Sequence, residues 1–92
     1  MLTHIVLLRL TDSNDAPEAV SRLESLVGQV PSLLSLSAGT NVRDTPASYD
    51  VALTTTHADL VGLTEYIEHE AHKAVTAWLT PRVSARAMVD HL

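Results

Sequence analysis

The sequence predicts an α+β domain with the element order βαββαβ, the ferredoxin-like layout in which a four-stranded antiparallel sheet carries its helices on one face. Three observations lead there. Residues 3–10 and 49–56 alternate as strands, two apolar stripes at helical spacing fall between strand patterns, and turn-forming clusters separate them. No composition shift, repeat or linker divides the chain, so residues 1–92 read as a single domain.

In residues 3–10, Thr3, Ile5, Leu7 and Arg9 alternate with His4, Val6, Leu8 and Leu10. Both sets carry apolar side chains, so neither face suits water and both are expected to be covered. Residues 11–14 make a polar turn. Asp15 is expected to cap a helix whose first turn holds Pro17 and Glu18. Val20, Leu23, Leu26, Val27 and Val30 give it one apolar stripe, and Gly28 and Pro31 end it. In residues 33–42, Leu34, Leu36 and Ala38 alternate with Ser35 and Ser37 before Gly39, which predicts a second strand with a bend. Residues 43–48 form a loop, and residues 49–56 a third strand with Tyr49, Val51, Leu53 and Thr55 on one face.

A capping region at residues 56–59 opens a second helix with Leu60, Leu63, Ile67 and Ala71 along one side. It is expected to run to about His69, kink, and continue over residues 71–79 until Thr80-Pro81 stops it. The last strand spans residues 82–91, with Val83, Ala85, Ala87 and Val89 alternating against Arg82, Ser84, Arg86 and Asp90, while Met88 breaks the polar set. Helices on one side leave the other sheet face open. The doubly apolar first strand requires that face to be buried, and a second copy of the same sheet is the simplest cover, giving a homodimer.

Composition narrows the function classes. A chain of this size buries roughly 60–65% of the surface its unfolded form exposes, so a partner chain would add needed core. The absence of cysteine removes disulfides and thiolate metal sites and fits a reducing, cytoplasmic setting. The apolar run Ile5-Val6-Leu7-Leu8 is stopped by Arg9 with no cleavage site following, so a signal peptide is not expected, and no stretch is long enough for a membrane span. Six basic residues against eleven acidic ones give a net charge of −5 without a basic patch. Nucleic acid is therefore not expected as a partner.

Five histidines in 92 residues are many, and Tyr66-Ile67-Glu68-His69-Glu70-Ala71-His72 gathers two of them near one of only two tyrosines. His69 and His72 stand at i, i+3, one residue short of the His-Glu-x-x-His zinc helix, and no third ligand is evident. No metal is expected. Neither a Gly-x-Ser-x-Gly elbow nor a Gly-rich phosphate loop is present. What remains is acid–base chemistry, with histidine titrating near neutral pH and a tyrosine hydroxyl donating to a carbonyl or developing enolate. On a straight helix Tyr66 and His72, six residues apart, would splay by about 120°, so a kink near His69-Glu70 is needed to join them.

Spacing alone leaves His72 open between such a base and a buried, hydrogen-bonded histidine. His4 reads either as a pocket residue or as a core or edge histidine. His57 is expected to be a turn residue, and His69 to cover the surface rather than fix the kink. Asp50 and Asp90 are expected to be solvated strand-end carboxylates, with orientation of a histidine as the other reading. Trp78 is expected in the core or a dimer contact.

The ordered set of Thr3-His4-Ile5-Val6-Leu7-Leu8, Gly39-Thr40-Asn41, Tyr49-Asp50-Val51-Ala52-Leu53, Tyr66-x-x-His69-x-x-His72 with Val75, and Val89-Asp90 resembles the stress-responsive A/B barrel domain family over essentially the whole chain. The resemblance implies a dimeric α+β barrel, two ferredoxin-like sheets face to face. A plant member, olivetolic acid cyclase, closes a linear polyketide by aldol condensation without metal or cofactor. On that likeness His72 is the base, Tyr66 assists, and His4 lines the pocket. The chain departs from the family pattern at Glu70, where a proline is usual, and at His91, where an aromatic is usual, and it has no phenylalanine.

The leading expectation is a homodimeric protein binding a small, mostly apolar ligand. A cofactor-independent polyketide cyclase or carbon–carbon lyase using His72 and Tyr66 is the enzymatic alternative. A cofactor-free monooxygenase and a non-enzymatic stress-protective module are the others.

Overall fold

The computed structural model describes all of residues 1–92. The chain runs β1 (Leu2–Leu10), α1 (Ala16–Glu24), β2 (Ser35–Thr40), β3 (Val51–His57), α2 (Leu60–Glu68), α3 (Glu70–Leu79) and β4 (Val83–His91), with short 3-10 turns at Ser13–Asp15 and Thr80–Arg82. The strands form one antiparallel sheet in the order β2-β3-β1-β4, which is the ferredoxin-like arrangement. No helix is long and apolar enough to cross a membrane.

β1 sits at the centre because both of its faces are apolar. Leu2, His4, Val6, Leu8 and Leu10 are buried under the helices, and the intervening residues are half-buried on the opposite face. β3 lies beside it with Val51, Leu53, Thr55 and His57 buried on the helix side. The helices close that side with Ala16, Ala19 and Leu23 from α1, Leu63 and Tyr66 from α2, and Val75 and Leu79 from α3.

Three local expectations are corrected. Asp15 stands at the N-cap position of α1 but makes no side-chain cap bond; the capping carboxylate is that of Asp12, one 3-10 turn earlier, which accepts from the Asn14 N–H at 2.9 Å. α1 ends at Glu24, and Gly28 takes φ 82° in the turns that follow, a conformation open to glycine without a Cβ penalty. Leu26 and Val30 still reach the core, but the loss of helical period turns Val27 outward. β2 and β3 are each shorter than their apolar patterns, as residues 41–50 are held by turn contacts instead, with Thr45 and Ser48 hydroxyls 2.8 Å apart.

The register of β4 decides which side chains face the helices. Arg86 lies opposite Leu8, Met88 opposite Val6, and Asp90 opposite His4, so the set that reads as polar and solvated in sequence points to the helix side. A bulge at Arg9/Leu10 leaves Val83 beside Leu10 on that side. Ala85, Ala87 and Val89 join Ile5, Leu7 and Ala52 on the opposite, helix-free face.

Candidate functional site

A cavity of about 470 Å³ opens between the β1–β4 half of the sheet and α3. Val6, Leu8, Leu53 and Leu79 form its mostly apolar floor and wall, and His4 and His72 line it together with Lys73, Thr76, Arg86 and Met88. The volume is within the range of about 300–1,000 Å³ typical of small-molecule sites.

The break between α2 and α3 falls between two residues that line this cavity, Ile67 and His72. His69 leaves helical geometry at φ −65°, ψ 141° and is both the last cap of α2 and the first of α3. Its Nδ1 accepts from the Ala71 N–H at 3.0 Å, the task an Asn or Asp side chain performs at other helix starts. His69 therefore fixes the kink, against the expectation of a surface role. Glu70 occupies the first position of α3, where a carboxylate complements the helix dipole, so the break forms without a proline.

Because of this break, Tyr66 and His72 meet edge to face with ring centroids 4.6 Å apart. Tyr66 also lies 4.9 Å from the His57 ring and 6.5 Å from His4, so one tyrosine sits at the centre of three imidazoles. Tyr66 is fully buried behind the cavity wall rather than on it. Its hydroxyl meets no hydrogen-bond partner within the chain, and burial pushes its pKa up to about 12. The phenol is therefore protonated at neutral pH.

His72 is half-buried. Burial lowers its pKa from the ordinary 6.5; the Ile67 carbonyl opposes this, and a positive charge on the neighbouring His4 would reinforce it. Its ring nitrogen Nδ1 has the Thr76 hydroxyl at a distant 3.4 Å, while that hydroxyl donates at 2.9 Å to the His72 carbonyl. His72 is thus a cavity-lining imidazole with weak internal commitments, neutral near pH 7.

His4 is buried and its Nδ1–H donates to Oδ1 of Asp90 on the adjacent strand. An ionised carboxylate can only accept, so the contact assigns the proton to Nδ1 and leaves Nε2 unprotonated in the neutral ring. Asp90 is accordingly an orienting group and not simply a solvated strand end. Asp50 also departs from the solvated reading: its carboxylate accepts from the Leu10 N–H at 2.7 Å and ties the third strand's entry to β1.

His57 was not expected among these residues. It ends β3 fully buried, with Nδ1 donating to the Ser32 carbonyl at 2.9 Å and Nε2 paired with the Thr55 hydroxyl at 2.9 Å. Both ring nitrogens are committed, which makes it an anchor for the loop before β2 and a wall for Tyr66. The alternation of Thr55 and His57 on one strand face was the available signal. Trp78 lies half-buried against the core, with the guanidinium groups of Arg22 and Arg82 over its ring at 4.6 and 4.3 Å. No three histidine, aspartate or glutamate side chains converge as a metal-ligand set.

The comparisons with known proteins agree with this architecture. The family model for the stress-responsive A/B barrel domain matches residues 2–91. An uncharacterised protein of Streptomyces coelicolor, SCO4036, is 34% identical over 84 residues, covering 85% of this chain and 87% of its own. A dimeric protein of unknown function with a ferredoxin-like fold from Bacteroides fragilis superposes with a TM-score of 0.85 at 23% identity, over 98% of this chain and 93% of that one. A dimeric ferredoxin-like protein of unknown function from Thermobifida fusca gives a TM-score of 0.85 at 24% identity, over 98% and 88%. With a continuous match from the first strand to the last, this chain belongs to the stress-responsive A/B barrel domain family.

Proposed function

We propose that this chain is a cytoplasmic, homodimeric protein that binds a small, mostly apolar molecule in the cavity between β1, β4 and α3. The observation that carries the reading is the cavity itself, about 470 Å³, mostly apolar and with the His4 and His72 imidazoles in its lining. An apolar body gains from leaving water there, and two imidazoles give a carbonyl or hydroxyl something to meet. Octan-2-one added to the isotopically labelled chain should shift the resonances of Val6, Leu8, Thr76 and both imidazoles. Shifts absent from these residues would remove the reading.

Dimerisation is supported by the helix-free sheet face, where Ile5, Leu7, Ala52, Ala85, Ala87 and Val89 are presented together, and by the two dimeric proteins of the same fold. Light scattering should give twice the 9.9 kDa of one chain, and a stable monomer mass would overturn this part.

An acid–base enzyme of the polyketide cyclase type is the second reading, favoured by one observation: His72 is neutral near pH 7 and faces the cavity. In it His72 takes a proton from the carbon beside a ketone, the C–H pair becomes the enolate double bond as the carbonyl π pair moves onto oxygen, the enolate carbon attacks a second carbonyl, and the alkoxide so formed takes the proton back from the His72 imidazolium. Tyr66 is the candidate for the assisting donor, its hydroxyl being protonated and uncommitted, but it lies behind the cavity wall and would reach the ligand only with a shift of that wall, while His4 positions the ligand. Exchange of the α-protons of octan-2-one with deuterated water should be accelerated by the protein and lost in His72→Gln. No acceleration by the wild-type protein would leave the binding reading and end the catalytic one.

A further inference from the structure

The charges around the cavity are one-sided. This chain carries eleven carboxylates against six basic residues, yet no carboxylate lines the cavity, whereas Lys73 and Arg86 both do. They also differ from three of the other four cations, whose guanidinium groups are held by neighbours. Arg9 lies over Tyr49 and donates to the Ser48 carbonyl, Arg22 pairs with Glu18 over Trp78, and Arg82 covers the other side of that ring and donates to the Trp78 carbonyl. Arg43 sits in the exposed loop between β2 and β3. The side chains of Lys73 and Arg86 make neither an ion pair nor a hydrogen bond, although acidic residues are abundant, and they come from facing elements, the first turn of α3 and the middle of β4.

We infer that the cavity takes an amphipathic organic anion, its apolar body along Val6, Leu8 and Leu79 and its carboxylate or phosphate head between Lys73 and Arg86. The inference rests on the reading of the cavity as a ligand site and names the class of molecule that enters it. In a chain of net charge −5, a distant anion is repelled, so a local pair of uncommitted cations beside an apolar channel is where an anionic head gains most. An Arg fork and a Lys ammonium both donate to oxygen anions, and the absence of a lining carboxylate means that no internal anion competes.

The test uses octanoate, octyl phosphate and octan-1-ol, three probes sharing an apolar chain and differing in the head, titrated into the intact labelled protein. At low ionic strength octanoate or octyl phosphate should bind about tenfold more tightly than the alcohol, and added salt should erase the difference. The better of the two anions identifies the head. The paired substitution Lys73→Gln with Arg86→Gln, both at exposed positions, should bring that anion to the affinity that the same variant shows for the alcohol. Equal binding of all three probes overturns the anion inference while preserving the cavity as an apolar site. A preference that survives the paired substitution overturns the assignment to Lys73 and Arg86, and failure of every probe to bind overturns the cavity reading beneath both.

Discussion

His4 and Asp90 face each other across β1 and β4, and the buried imidazole of the one donates its Nδ1–H to a carboxylate of the other that is 36% exposed. The strand register creates the pair: each residue faces the helix side at the same level, so the contact needs no loop to arrange it. The water-accessible carboxylate makes the pair a device for setting a tautomer more than a source of stability. Nitrogen spectra of the neutral protein should show His4 protonated at Nδ1, and Asp90→Asn, whose amide offers both a donor and an acceptor, should mix the tautomers while changing stability by less than about 1 kcal/mol. Identical tautomer populations in the two proteins would contradict the assignment.

His69 holds the break between α2 and α3 through a single side-chain cap. His69→Ala should cost about 1 kcal/mol in urea denaturation, the usual loss for a helix start deprived of its acceptor, and His69→Asn should restore most of it. A fully stable alanine variant would mean that Glu70 and the backbone alone fix the break.

His57 is a different case because both of its nitrogens are used in the interior. His57→Ala strands the Ser32 carbonyl and the Thr55 hydroxyl and opens space beside Tyr66, so a loss on the order of 2–3 kcal/mol or more is expected. Denaturation of the variant reads this directly. A change under about 0.5 kcal/mol would mean that the two stranded groups find other partners at no cost.

The strand order and the helix sides were legible because they depend on patterns with a fixed period. Leu2 to Leu10 alternates and the α2 and α3 stripes recur at helical spacing, so burial alone orients them. Sequence singled out Tyr66 and His72 as candidates for chemistry and His4 as a candidate pocket residue, and the break that brings the first two together was anticipated. What could not be read was register. One residue of shift in β4 decides whether Arg86, Met88 and Asp90 face water or the helices, and the bulge at Arg9/Leu10 settles that only in three dimensions. His57 and Asp50 escaped for a related reason: their partners, Ser32 and Leu10, lie 25 and 40 residues away.

Tyr66→Phe should leave stability at neutral pH unchanged or slightly higher, because it removes a buried hydroxyl that no group in the chain satisfies. The sign at high pH follows from the raised pKa. The unfolded phenol ionises from pH 10 while the folded one holds its proton to about 12, so the wild-type protein loses stability through that window and the variant loses less. A large neutral-pH loss in the variant would reveal a hydrogen bond to the Tyr66 oxygen.

His72 gives the opposite dependence at the acid end. Its folded-state pKa is depressed below the ordinary 6.5, mainly by burial, so the unfolded chain takes up a proton there more readily than the folded one. The stability that His72 contributes is therefore complete above pH 6.5 and is lost as pH falls from that value through the lower folded one. The groups that face it are His4 from β1, Tyr66 from α2, and Lys73 and Thr76 on its own helix, and none is a carboxylate that could hold the imidazolium. His72→Gln keeps a polar side chain that does not titrate, so its melting temperature should fall less steeply than that of the wild type between neutral and mildly acidic pH. Parallel profiles for the two proteins would mean that His72 titrates alike in the folded and unfolded chain. The neutral cavity base on which the catalytic reading depends would then be a base of ordinary strength, half-protonated near pH 6.5.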